Sequence, residues 1–336
     1  MACFVVLAAG AASAEKGVRI VKTAYKGWSN CYRLTNGEIE LIATRDVGPR
    51  IIRLGFVNED NVFGEDPQQV GKTGGQEWRI YGGHRLWHAP EAQPRTYFPD
   101  NFPIEVKAGR NSLTLIQPTE TTTGIQKTIE LTMDAERNHV AVRHVLRNQS
   151  LWAVELAPWA LTMMTKRGFA IIPQPPYVSH QQQLLPARPL AQWAYLDMAD
   201  RRWRWGKRYI TLRQDPNATE PQKLGVGDQE NWVAYAVKDY LFIKTFRYHH
   251  AGGAPPGATY PDFGCAAEVF TNADMLELET VGPMTSLQPG AAVEYVENWF
   301  LFQGAKVAND DGAIDAVVLP KVKQALEISA RRPRRR

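Results

Sequence analysis

Between Met275 and Gly290 the chain reads Met-Leu-Glu-Leu-Glu-Thr-Val-Gly-Pro-Met-Thr-Ser-Leu-Gln-Pro-Gly, and no other stretch constrains the fold as strongly. Its start alternates strictly. Leu276 and Leu278 fall on one side, Glu277 and Glu279 on the other. A period of two belongs to a β-strand with one apolar and one polar face. Two residues along a strand advance about 6.6–6.8 Å, so the two carboxylates stand side by side. Pro283, Pro289 and Gly290 then punctuate the chain, and Ala292–Phe302 reads as a further strand. On pattern alone, the polar face is either an ordinary wet surface or the lining of a cleft, where a carboxylate can act as a general base.

The same short alternation recurs. Gly37–Thr44 follows the turn pair Asn36-Gly37, and Pro49–Gly55 suits its next strand. Ser112–Ile116, Gln126–Thr132, His139–Leu146, Arg208–Leu212, Trp232–Val237 and Leu241–Phe246 continue the series. Only residues 312–331 carry a helical pattern. Many short strands separated by turns predict an all-β chain, a sandwich or a barrel. No repeat and no low-complexity linker divides it, so one continuous β domain is expected over residues 15–305, with a C-terminal helix and tail over 306–336.

The 336 residues suffice for one large β domain, and 44% hydrophobic with 22% charged residues predicts a packed core. The net charge is +4, and the end Arg331-Arg-Pro-Arg-Arg-Arg336 supplies five positive charges. The body is therefore near neutral, and nucleic acid is not an expected partner. Residues 1–14 read as a secretory signal: Cys3–Ala12 is apolar but too short to span a bilayer, and Ala12-Ser-Ala14 fits a cleavage site. No Lys or Arg precedes the apolar run. The expectation is export to the periplasm or the medium, without stable membrane insertion. Cys31 and Cys265 are then either a disulfide or two buried thiols.

Long loops rich in Pro, Gly and aromatic residues lie between the strands, the usual place for function. The densest is Gly82–Glu91, with His84, Arg85, Trp87 and His88. Aromatic faces beside hydrogen-bonding groups suit sugar rings, which have apolar C–H patches and polar hydroxyl edges. His84 and His88 have the spacing of metal ligands on a helix, but Gly82-Gly83 and Pro90 argue against a helix, so no metal is expected. Asp262 stands in a turn context, and Glu268 on the strand that follows. Asp200–Tyr209 concentrates Arg and Trp, which reads as a surface loop or as an acidic-sugar contact.

The order of these pieces carries a resemblance. Gly37-Glu-Ile-Glu-Leu41 with Gly48-Pro-Arg-Ile51, Gly82-Gly-His-Arg-Leu-Trp87, Arg147-Asn-Gln-Ser150 with Glu155-Leu-Ala-Pro-Trp159, Tyr260-Pro-Asp-Phe-Gly264, and Leu276-Glu-Leu-Glu-Thr280 with Leu287-Gln-Pro-Gly290 and Glu297-Asn-Trp299 together resemble the galactose mutarotase-like superfamily. Within it, the chain is more similar to an uncharacterised bacterial domain-of-unknown-function family than to a true aldose 1-epimerase. The resemblance spans residues 18–303 and implies a large antiparallel β-sandwich with a concave carbohydrate-binding face.

In aldose 1-epimerases a glutamate before the Pro-Gly turn removes the anomeric hydroxyl proton, and a histidine protonates the ring oxygen. The resemblance assigns the base to Glu279, with Glu277 as the alternative on the same face. It assigns Arg50, His84 and Arg85 to sugar hydroxyls, and Asp262 or Glu268 to the acidic sugar-binding position. Trp87 and His88 complete the expected contacts. The chain departs from the pattern at the acid. The segment where the epimerase histidine falls reads Leu156-Ala-Pro-Trp159; His180 lies over twenty residues on in a Gln-rich loop, His84 or His88 could serve instead, and the identity of the acid is left open. Three functions follow: an exported sugar-active enzyme such as an epimerase, a non-catalytic carbohydrate-binding module, or an envelope scaffold. The expected partner is a mono- or oligosaccharide, neutral or acidic, with no cofactor; the oligomeric state is left open.

Overall fold

The structure is a computed structural model that describes residues 17–228, 230–248 and 259–330. The signal expected at 1–14 and the basic end at 331–336 lie outside the described residues.

The alternating segments form two antiparallel sheets. The first has eleven strands. It runs from Arg19–Tyr25 through Trp28–Thr35, Ile39–Thr44, Arg50–Phe56, His84–Ala89, Val154–Met164, Leu276–Val281, Ala267–Thr271 and Gln222–Val226 to Leu190–Gln192, with Thr285–Leu287 also paired to Val154–Met164. The second has ten. It runs from Trp203–Trp205 through Tyr209–Arg213, Phe169–Pro173, Trp232–Val237, Tyr240–Thr245, Ala292–Phe302, His139–Asn148, Ile125–Met133 and Ser112–Ile116 to Glu105–Ala108.

Period-two patterning puts the main core between the sheets. Leu276 and Leu278 pack there with Ile51, Leu86, Phe242 and Trp299. Each such side chain contributes roughly 1.5–3 kcal/mol by leaving water. The helical pattern forms Asp311–Val317 and Leu319–Ala330. Asp310 caps the first, accepting from the Ala313 N–H at 2.9 Å. The helices lay Ile314, Val318, Val322 and Ala325 over Ile171, Ile243 and Phe300, on the outer face of the second sheet. That face is therefore covered, whereas the outer face of the first sheet is bordered by loops.

One element differs from expectation. The loop expected at Gly82–Glu91 contains the strand His84–Ala89, with all six residues buried. A strand buried on both sides shows no alternation, so its pattern does not announce it. Glycine is required at its entrance: Gly83 has φ +69°, and a Cβ there would stand 2.1 Å from the Ile51 carbonyl oxygen. Along this strand Leu86 faces the second sheet, while Trp87 and Ala89 pack on the outer face. Cys31 and Cys265 are free and buried. No helix among the described residues is long and apolar enough to cross a membrane.

Candidate functional site

Strand register writes the site across the outer face of the first sheet. Arg85, Leu161, Glu279, Glu268 and Gly225 stand opposite one another on five adjacent strands. Met163, Glu277, Phe270 and Lys223 form the next row. Trp87, Trp159 and Val281 form a third. Three loops complete the enclosure with Trp78, with Glu91 and Tyr97, and with Tyr195, and the resulting cleft holds about 250 Å³. Gly225 makes room at the row's end, because a Cβ there would meet the Cys265 sulfur at 2.7 Å and the Trp193 ring at 3.2 Å.

A lysine locks the central carboxylate. The Lys223 ammonium donates to Glu279 Oε2 at 3.0 Å and lies 2.9 Å from Glu268 Oε2. The Trp159 indole N–H donates to the same Glu279 oxygen at 2.9 Å. The ammonium also sits 4.7 Å from the Trp159 and Trp193 ring centroids, in cation–π range. Burial opposes the charge on Lys223, but Glu268 and Glu279 outweigh it and hold the ammonium well above its ordinary value. One lysine neutralises one carboxylate. The other, Glu268, is pushed up to about 8, first by burial and then against the pull of Lys223 by Glu279. At neutral pH Glu268 is therefore held protonated beside the Lys223 ammonium.

Glu277 is different. It is half-buried, lines the cleft, and makes no side-chain hydrogen bond to another described residue. Burial raises its carboxyl to about 7, reinforced by Glu279 and opposed by Arg85. A carboxyl that titrates near neutrality can both accept and return a proton. The Arg85 guanidinium lies beneath the aromatic wall, 4.9 Å from the Trp78 ring and 5.3 Å from the Trp87 ring. Its Nη2 donates to the Arg79 and Ile80 carbonyls, while Nη1 is buried without a partner. Burial lowers it to about 9, so it remains a cation at neutral pH. Trp87 also meets Tyr97 and Trp159 edge to face, with centroids 5.1 and 5.3 Å apart.

Of the residues expected at the site, the structure brings Glu277, Glu279, Glu268, Arg85 and Trp87 together. It does not bring Arg50, His84 or His88 to the cleft, whereas Asp262 stands close enough to Glu268 to help raise its carboxyl. Arg50 is fully buried and donates to the Ile80 and Gly82 carbonyls and to Asp100 at 2.7 Å, so it ties down the loop instead of meeting a ligand. His84 faces the second sheet. Its Nδ1 lies 2.8 Å from the Thr162 hydroxyl and its Nε2 lies 2.7 Å from His144 Nε2. The donors of His84, His144 and Glu297 lie within 4.8 Å of one another, spacing that a metal ion could use. Here Lys244 takes that place, 3.0 Å from Glu297 and 2.9 Å from Thr162. His88 also points inward, 3.8 Å from Glu120. Strand parity explains both histidines, because the even positions of this strand face the core. Asp262 sits in a turn with φ +51°. The Arg-rich segment pairs with aspartates: Arg202 with Asp200, Arg204 with Asp311, and Arg208 with Asp315.

Lys223, Trp159, Trp78, Tyr97 and Tyr195 are cleft residues that the sequence does not single out. Trp159 had a signal. It lies in the segment where an epimerase would carry its histidine, and it faces the base position.

No family model and no curated protein matches the sequence. Solved structures do match. A galactose mutarotase related enzyme from Lactobacillus acidophilus superposes with a TM-score of 0.51 at 11% identity, over 82% of this chain and 98% of that one. A galactose mutarotase-like protein from Clostridium acetobutylicum gives 0.51 at 10% identity, over 86% and 100%. A TPR-domain containing protein from Parabacteroides distasonis gives 0.55 at 14% identity, over 83% of this chain and 48% of that one, so the chain spans about half its length. Identities this low speak to architecture and leave chemistry to the site itself. The two stacked antiparallel sheets, with the cleft on the outer face of the first, are the galactose mutarotase-like fold.

Proposed function

We propose that the protein binds a sugar in the cleft between Trp78, Trp87, Tyr97 and Tyr195, and that Glu277 moves a proton at the sugar's anomeric centre. The observation that carries this reading is Glu277 itself: a carboxyl held at about 7, with no side-chain hydrogen bond to a described residue, inside an aromatic-walled cleft. At about 250 Å³ the cleft suits a single ring, falling below the roughly 300–1,000 Å³ usual for drug-sized ligands. In this scheme Glu277 takes the proton of the C1 hydroxyl, the C1–O bond to the ring oxygen breaks, and that oxygen keeps the electron pair and is protonated. After rotation about C1–C2, the C5 hydroxyl gives its proton back to the donor as it recloses on the other face of C1, and Glu277 returns the first proton to the C1 oxygen. Among the described residues, no histidine lines the cleft. In this scheme water or a cleft hydroxyl supplies the ring-oxygen proton, and the base is typically worth about 10²–10⁴-fold.

A second reading, a binding module without turnover, is favoured by the Lys223 and Trp159 contacts that occupy Glu279. The two separate by NMR exchange at the anomeric carbon, with the full chain and a panel of neutral hexoses. Faster α/β interconversion, lost in Glu277→Gln and kept in Glu279→Gln, supports the isomerase. Binding without acceleration selects the module. Absence of both binding and acceleration removes the sugar reading. Export, as the leading residues suggest, belongs to the same proposal.

A further inference from the structure

Tyr97 lines two spaces. One is the cleft; the other is a groove of about 530 Å³ on its far side, also bordered by Pro94, Phe98, Phe102, Asp100 and Gln117. We propose that this groove is a second sugar subsite, so that the ligand is an uncharged oligosaccharide with one ring in the cleft and the next beyond Tyr97. This rests on the sugar-binding reading and extends it to the class of ligand.

Four observations converge. The groove holds roughly twice the volume of the cleft, which leaves room for further rings. Phe102 is 46% exposed, a flat apolar surface beside Phe98 that a sugar's C–H face can cover. Gln117 is only 3% exposed, yet its Oε1 has no hydrogen-bond partner in the protein, and neither has Asp100 Oδ1. Buried acceptors are normally satisfied. Two such acceptors border a single groove and are shielded from solvent, so a ligand rich in hydroxyl donors would satisfy them once their side chains turn toward it, and the Thr119, Thr121 and Thr122 side chains add partners at its border. Finally, no Lys or Arg among the described residues lines the groove, and the one carboxylate there, Asp100, already has its cation in Arg50. Arg50 is committed to Asp100 and to backbone carbonyls. A uronate or sulfated chain would find no guanidinium or ammonium to pair with. Neutral rings fit.

The test is calorimetric titration of the full chain with glucose and galactose, and with neutral tetrasaccharides built from each. Phe102→Ala is the paired variant, since a half-exposed ring is removed with little effect on folding; circular dichroism checks this. The expected result is that a tetrasaccharide binds at least roughly tenfold more tightly than its monosaccharide. Phe102→Ala should abolish that gain and leave monosaccharide affinity unchanged. Equal affinity for chain and single ring overturns the second subsite while leaving the cleft intact. So does a Phe102→Ala loss that falls equally on both. No binding of any of these sugars overturns the sugar reading itself and the subsite with it.

Discussion

Two polar clusters lie back to back on the same strands, and they have opposite characters. Thr162, Leu278 and Thr280 turn inward, toward Lys244 and Glu297. Leu161, Glu277 and Glu279 turn outward. The inner cluster is closed. Lys244 bonds Thr162 and the Leu278 carbonyl, and Glu297 takes the Lys244 ammonium, the Thr280 hydroxyl and the Trp299 indole at 2.8 Å. The outer cluster keeps one carboxyl free of partners and opens onto aromatic walls. A buried charged group with every partner in place is a structural device. A charged group left open in a cleft, with a shifted titration, is a chemical one. Chemistry is therefore assigned to the outer face, although His84, His88 and His144 all face inward.

The comparison breaks most easily from the inside. Glu297→Ala strands the Lys244 ammonium in the core, and removing one partner of a buried ion pair costs about 3–5 kcal/mol. Urea denaturation should show a loss of that size; a change within experimental error would mean that the inner cluster is not closed. Glu277→Gln should do the reverse. It removes no side-chain hydrogen bond to a described residue and keeps the side chain's size, so the urea midpoint stays near wild type while anomeric exchange falls toward the uncatalysed rate, a loss of about 10²–10⁴-fold.

The smallest effect is a pH slope. Burial holds Glu277 at about 7 and Glu268 at about 8, above an ordinary glutamate. The folded chain then keeps protons that the unfolded chain releases above about pH 4.3. Stability from this source is full at low pH and drains as pH rises toward 8. Asp228, raised to about 8 by burial, adds to the same limb. The inner histidines run the other way. Burial, then His144 and Lys244, pushes His84 well below its ordinary value, and burial lowers His144. Their contribution is complete above about pH 6.5 and is lost on acidification. Between pH 6.5 and 8 only the carboxyl limb operates. Stability should fall there, and Glu268→Gln should flatten the fall in part; a slope unchanged by that substitution would count against a protonated Glu268.

The sheet architecture was legible because Leu276, Glu277, Leu278 and Glu279 alternate where one face is wet and the other dry. The same pattern placed both carboxylates on one face. It could not say which of the two would be tied down, because that depends on Lys223, which lies more than fifty residues away in a strand buried on both faces. The Gly82–Glu91 stretch misled for the same reason. With no alternation to fix parity, His84 and His88 looked as available as Arg85 and Trp87. The loop residues Tyr97 and Tyr195 reach the cleft only through tertiary folding, and no local signal marks them.

The most direct test of the two-face account is carbon NMR of the glutamate carboxyls in wild-type protein, with and without a neutral hexose. The account predicts that Glu277 titrates near 7 and that its resonance moves on sugar addition, while Glu297 stays still. A Glu277 that titrates like an ordinary surface glutamate and ignores the sugar, or a Glu297 that responds to it, would contradict the assignment of chemistry to the outer face.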